Sequence, residues 1–374
     1  MSVTCTVDVV KLAQELIRCP SVTPHDGGAM DVLQSILDKL GFTCHRLSFE
    51  GVQNLYARRG VAFPNFCFLG HTDVVPVGDR ALWRHDPFGA VLEGDILYGR
   101  GAVDMKGAIA AFVAAVSELD ASPPGSISLL ITGDEEGPAL HGTCSVLEWL
   151  KMRGEKIDFC LGGEPSSVQD IGDTLKIGRR GSLSGVLTVF GTQGHVAYPE
   201  NFDNPIPRLL RTLGKLYETT FDRGSDYFPA THFEVLTIDA ANPASNVVPA
   251  KVEARFNLRF NDQQSSASLM AFLRHLCEDL AGDHVLEFSV SGEAFLSSSL
   301  DFSKKIQRIV EQMTGRPAQL STSGGTSDAR FVYTLCPIAE LGLKNTTAHQ
   351  VDEHVPVADL HELMRLYRAI MERF

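Results

Sequence analysis

The sequence predicts an α/β protein. A largely parallel-stranded domain is assembled from residues 1–180 and 293–374, with a ferredoxin-like α+β domain, residues 181–292, inserted between the two pieces. Three observations carry this. A chain of 374 residues exceeds the usual size of a single hydrophobic core. In the first half, short uninterrupted apolar runs alternate with helical periodicity, the pattern of parallel strands covered on both faces. Beyond Arg179-Arg180-Gly181 the order changes to β-α-β-β-α-β.

Residues 7–19 have helical spacing, which ends at Pro20-Ser21-Val22-Thr23-Pro24. Residues 28–40 read as a second helix stopped by Gly41. Apolar runs of strand length follow at 65–69, 126–132 and 157–162. The alanine-rich stretch 105–119 reads as a helix with Asp104 as its N-cap. In the insert, strands at 182–190, 231–239, 251–260 and 284–290 alternate with helices at 204–219 and 264–280. After Ser291-Gly292 the helical pattern resumes at 301–314 and 358–373. No internal repeat or low-complexity segment interrupts the pattern.

The composition, 44% hydrophobic and 21% charged, is that of a globular enzyme. A formal net charge of -13 argues against nucleic acid or an anionic membrane surface as partner, because a phosphate footprint needs basic excess. The opening Met1-Ser2-Val3-Thr4-Cys5 lacks a basic stretch followed by an apolar run, so no export signal is expected. No apolar run reaches membrane-spanning length. Eight cysteines (Cys5, Cys19, Cys44, Cys67, Cys144, Cys160, Cys277, Cys336) form no Cys-x-x-Cys pair, and several lie within apolar runs. They read as reduced thiols of a cytoplasmic protein.

The chemistry concentrates after the three predicted central strands. Gly70-His71-Thr72-Asp73, Gly133-Asp134-Glu135-Glu136-Gly137 and Gly163-Glu164-Pro165 each follow one of them. In an open parallel sheet the strands' carboxyl ends share one edge, where ligands bind. Asp104 and His349 are placed to join these clusters. Each motif alone has a plainer reading: a turn for His71-Thr72-Asp73, a helix cap for Asp104, a solvated acidic loop for Asp134-Glu135-Glu136. Their joint occurrence at the ends of strands in one sheet favours chemistry. Converging carboxylates repel unless cations hold them. Histidines among them suit zinc better than calcium, and a bridging carboxylate would make a two-metal hydrolytic site.

These motifs, in this order and with Gly99-Arg100-Gly101-Ala102-Val103-Asp104-Met105-Lys106-Gly107, resemble those of the co-catalytic zinc aminoacylases and carboxypeptidases. The likeness runs over essentially the whole chain, including Gly191-Thr192-Gln193-Gly194-His195 and Gly324-Gly325-Thr326-Ser327-Asp328 in its later part. It implies a zinc-hydrolase catalytic domain with an inserted dimerisation or lid domain. It further implies two Zn2+ ions per subunit, with Co2+ a possible substitute. His71, Asp104 and Glu164 would hold one ion, and Asp104, Glu136 and His349 the other. Glu135 matches the general base and Asp73 the carboxylate that orients His71. His195 matches a histidine that reaches the partner subunit's site, so a homodimer is implied.

The implied substrate is a small N-acyl amino acid with several carboxylates. Arg179 and Arg259 are the expected arginine forks, with Tyr198, Asn246, Thr326 and Asn345 adding hydrogen bonds. Arg255 and Arg259 alternate on one strand, a spacing that a solvated cationic face explains equally well. Sibling deacylases, dipeptidases and carboxypeptidases share the same centre. A non-catalytic binding relative is the alternative from another class, and retention of Glu135 beside the full ligand set weighs against it.

Overall fold

The computed structural model describes residues 6–119 and 125–374. Cys5 and the rest of the opening pentapeptide lie outside the described residues. Two compact units emerge: residues 1–177 with 297–321 and 327–374, and residues 178–296 with 322–326.

The first unit is built on an eight-stranded sheet. Its strand order is Thr43–Phe49, Val52–Arg59, Ser126–Thr132, Asn65–His71, Phe159–Gly162, Ile338–Glu340, Thr174–Lys176 and Gln319–Ser321. The centre is parallel: Asn65–His71 runs beside both Ser126–Thr132 and Phe159–Gly162 in the same direction. Every residue of Asn65–His71 and of Ser126–Thr132 is buried, as a sheet covered on both faces demands. The hairpin at one edge, Thr43–Phe49 with Val52–Arg59, is antiparallel and was not legible in the sequence. Its two-residue loop, Glu50-Gly51, has positive φ at both positions, the turn whose twist matches paired strands.

The helix Lys106–Ser117 is buried almost all round, which its alanine-rich composition permits. Phe68 stacks on Phe112 at 4.3 Å between ring centroids, and the edge of Tyr367 meets each of them at 5.7 Å. This places the C-terminal helix Val357–Met371 against the same core. Tyr367 donates its hydroxyl to the Leu341 carbonyl at 2.6 Å, so the one polar atom of that ring is satisfied. Among the described residues, no helix is long and apolar enough to cross a membrane.

The second unit has the expected order. Strands Gly181–Phe190, His232–Asp239, Lys251–Phe260 and His284–Gly292 alternate with helices Ile206–Glu218 and Ser266–Leu280. Numbered along the chain, the strands lie 2-3-1-4 across the sheet, all neighbours antiparallel, which is the ferredoxin-like arrangement. Alternation decides the faces: Val252, Ala254, Phe256, Leu258 and Phe260 point into a core shared with Leu209, Leu213 and Leu216 of the first helix.

Candidate active site

Parallel register brings the three motif-bearing strands to one edge. His71 is the last residue of its strand and pairs with Thr132, the residue before Gly133-Asp134-Glu135-Glu136. Leu69 pairs with Gly162, two residues before Glu164. The loops therefore leave the sheet side by side. The backbone locks them there: Thr72 donates to the Thr132 carbonyl at 2.9 Å, and Gly163 to that of Leu69 at 3.0 Å.

Around this edge two groups of side chains meet, His71–Asp104–Glu164 and Asp104–Glu136–His349. His71 Nε2 lies 3.2 Å from Asp104 Oδ1 and 3.6 Å from Glu164 Oε1. His349 Nε2 lies 3.1 Å from Asp104 Oδ2 and 2.7 Å from Glu136 Oε1. Asp104 thus gives one oxygen to each group. The spacings suit donors gathered around small cations, since donors at about 2.1 Å from a tetrahedral zinc stand roughly 3.4 Å apart. A third grouping, His71–Glu135–Glu136, draws on the same atoms, with Glu135 Oε2 4.0 Å from His71 Nε2. Glu135 is accordingly within reach both of a cation and of what that cation binds.

The electrostatics call for positive charge. Burial, and then the charge of Glu164, push the Glu135 carboxyl well above its usual range. Burial disfavours a charged His71, but the hydrogen bond to Asp104 and the surrounding carboxylates overcome it and raise its pKa strongly. The hydrogen bonds to Asp104 and Glu136 lift His349 to about 10. Burial acts upward on Asp104, yet its hydrogen bonds to His349 and His71 hold it below the carboxylate range. Five carboxylates (Asp73, Asp104, Glu135, Glu136, Glu164) around two imidazoles form a set that protons satisfy in part and divalent cations satisfy better. The donor set fits two metal ions.

Two expectations are corrected by this geometry. Asp104 does not cap a helix: the helix begins at Lys106, its N-cap is Met105, and the Asp104 carboxylate faces the histidines. An aspartate just before a helix satisfies the sequence signature of a cap and of a ligand alike, and here its carboxylate turns to the two histidines and leaves the helix end uncapped. Asp73 orients His71 through its backbone carbonyl, which accepts from Nδ1 at 2.9 Å, with its carboxylate Oδ1 farther away at 3.7 Å. The carboxylate instead accepts the backbone N–H groups of Glu135 and Glu136 at 3.2 and 3.0 Å, fixing the acidic loop.

Sequence reasoning missed three residues of this region. Glu353 is fully buried and accepts the Val103 and Asp104 N–H groups. Arg100 is its buried ion-pair partner at 2.7 Å. Asp328 is buried, and burial raises its carboxyl to about 6 against the opposing charge of Arg330. The signals were an acidic residue four positions after His349, an arginine inside Gly99-Arg100-Gly101, and an aspartate inside Gly324–Asp328. None has a periodicity that would mark it.

Asn345, in a short 3-10 turn before His349, is exposed, and its N–H donates to the Ser167 carbonyl at 3.0 Å. The other expected residues belong to the second unit. His195 is exposed, on a two-residue ladder with Val247–Val248. Its ring meets Tyr198 edge-on at 5.5 Å, and the neighbouring Val196 N–H donates to the Asn246 carbonyl at 3.0 Å. His195, Tyr198 and Asn246 therefore sit together. Ala197 N–H donates to His195 Nδ1 at 3.0 Å, so a neutral ring carries its proton on Nε2.

Arg179 is buried and donates to the Gly325 carbonyl at 3.2 Å, which brings it beside Thr326. Gly324 sits at φ +107, a conformation that residues with side chains rarely adopt, and a Cβ there would press on the Arg179 guanidinium at 2.8 Å. Arg259 pairs across the ladder with His232. Burial, then the charges of Arg180 and Arg259, depress the His232 pKa, with Glu234 opposing.

The model for peptidase family M20/M25/M40 matches residues 67–373. A succinyl-diaminopimelate desuccinylase from Rhodospirillum centenum is 53% identical over 375 residues, covering 98% of this chain and 97% of that protein. Among solved structures, an M20 family metallo-carboxypeptidase from Sulfolobus solfataricus superposes with a TM-score of 0.80 at 18% identity, covering 98% of each chain. A dinuclear metal-binding peptidase of the same family from Bacillus subtilis gives 0.71 at 13% identity, over 97% of this chain and 96% of that one. At such identities the structures speak for the fold alone.

Proposed function

The chain belongs to peptidase family M20/M25/M40 and is a metal-dependent hydrolase; from that premise we propose that it cleaves N-succinyl-LL-2,6-diaminopimelate to succinate and LL-2,6-diaminopimelate. This is a step of diaminopimelate and lysine biosynthesis, which we place in the cytoplasm. One observation carries the catalytic reading: the Asp104 carboxylate divides its oxygens between two ligand groups, and Glu135 stands beside them, within reach of the first. The substrate comes from the name of the half-identical relatives that match the whole chain.

In this reading two zinc ions per chain, replaceable by cobalt, would be held by His71, Asp104 and Glu164 and by Asp104, Glu136 and His349. When bound, they supply Lewis acidity and bring the pKa of water toward neutrality. Glu135 takes the proton of the attacking water and returns it to the departing amine. Asp73 holds the Glu135 and Glu136 backbone, so the base keeps its aim through the reaction. The chain acts as a homodimer in which His195 of one subunit donates its Nε2–H to the substrate oxyanion in the other. Support for that donor comes from its exposure and from the Ala197 contact that leaves Nε2 carrying the proton. Arg179, Arg259, Tyr198, Asn246, Thr326 and Asn345 receive the substrate's carboxylates and amine.

The test is metal content together with hydrolysis of N-succinyl-LL-diaminopimelate, N-acetylornithine and a dipeptide. About two zinc ions per chain and a preference for the succinyl compound are expected. Preference for either of the others keeps the centre and discards the substrate. Absence of turnover after zinc is supplied sinks the enzyme reading.

A further inference from the structure

We infer that Glu353 and Arg100 form a clamp that sets the spacing between the shared ligand Asp104 and the ligand His349, and so governs one of the two cation positions more than the other. The inference rests on the two-cation reading above. Glu353 Oε1 accepts the Val103 and Asp104 N–H groups at 2.9 and 3.1 Å, which pins the backbone of the shared ligand. Its Oε2 accepts Arg100 Nη1 at 2.7 Å. Arg100 also reaches the segment that carries His349: Nη1 donates to the Gln350 carbonyl at 3.2 Å and Nη2 to the His349 and Pro76 carbonyls, both at 3.4 Å, while Nε makes no hydrogen bond among the described residues. Trp83 covers the guanidinium at 5.2 Å.

His349 sits at φ +62, a backbone conformation uncommon in residues that carry a side chain. A loop in that conformation needs an outside restraint, and the Arg100 fork supplies one directly to the His349 carbonyl. One buried carboxylate and one buried guanidinium thus join two ligands that lie 245 positions apart in the chain, 349 less 104. His71 and Glu164, by contrast, are set by strand ends in the sheet itself. Glu353 and Arg100 are positioning residues: their side chains hold the backbone of the ligands, at the Asp104 N–H and the His349 carbonyl.

The experiment titrates Zn2+ into chelator-stripped full-length protein, comparing the parent with Glu353→Gln, Arg100→Lys, His349→Ala and Glu353→Gln combined with His349→Ala. The Glu353→Gln change keeps an acceptor for the two N–H groups but sets an amide donor against Arg100. The Arg100→Lys change keeps the charge but not the fork. Both single clamp variants should weaken one ion about 10- to 100-fold and leave the other within about threefold. In the His349→Ala background, Glu353→Gln should add little to what is already lost. Equal weakening of both ions, or none, overturns the clamp. If Glu353→Gln does not fold, Arg100→Lys decides alone by the same criteria. A parent that takes up fewer than two ions overturns the two-cation reading first, and the clamp with it.

Discussion

In the central sheet, Asn65–His71 and Ser126–Thr132 are buried at every position, whereas in the inserted sheet Lys251–Phe260 buries every second residue. The first pattern leaves acidic and ionisable side chains little place along these strands, so they crowd the carboxyl end, where His71, Glu135, Glu136 and Glu164 gather. The second pattern turns every other side chain of Lys251–Phe260 outward, and that row is polar as a matter of course. Arg255 and Arg259 belong to such a row with Asn257 between them, and spacing alone cannot tell a substrate contact from a solvated face. A sheet covered on both faces makes its chemistry conspicuous; a sheet covered on one face hides it.

The comparison predicts a graded set of effects. Stripping the metal with a chelator should abolish turnover, and zinc should restore it; full activity in metal-free protein would break the reading of the central edge. Glu135→Gln should lower kcat by about 10^3-fold with bound metal unchanged, as atomic absorption of the purified variant would show. Loss of zinc in that variant would instead make Glu135 a ligand, as the third grouping of side chains permits.

On the inserted unit the expected effects are smaller. His195→Ala should cost about 10^2-fold in kcat with little change in KM, the signature of a donor used in the transition state. Arg259→Ala should lower kcat/KM about 10-fold through KM, the scale of one charged hydrogen bond. Arg255→Ala, whose partner is Glu253 at 3.1 Å, should change activity less than twofold and stability by less than about 0.5 kcal/mol in thermal unfolding. Equally small effects at 255 and 259 would mean the outward row is a solvated face throughout.

Legibility followed the same division. Long apolar runs announced the three central strands, and helical spacing announced the helices Ile206–Glu218 and Val357–Met371. The edge strand Thr43–Phe49 carries His45 and Arg46 among its apolar residues, and Thr174–Lys176, Gln319–Ser321 and Ile338–Glu340 are three residues each, too short for any period to show. The side chains that gather at the sheet edge were legible because chemistry restricts the types that could hold a cation. Their supports were not: Glu353 acts on backbone N–H groups, which nearly every residue has, from 249 positions away. The orienting atom on Asp73 was misassigned for the same reason, since a backbone carbonyl leaves no trace in the residue's identity.

The divided carboxylate of Asp104 also constrains how this centre can be altered. On the two-ion reading, one residue serves both groups, so no substitution at position 104 would remove a single ion cleanly. A mononuclear form must be sought at Glu136 or His349 on one side, or at His71 or Glu164 on the other. On the two-ion reading, the two positions are joined by the two oxygens of one carboxylate, and nuclearity is a property of the pair.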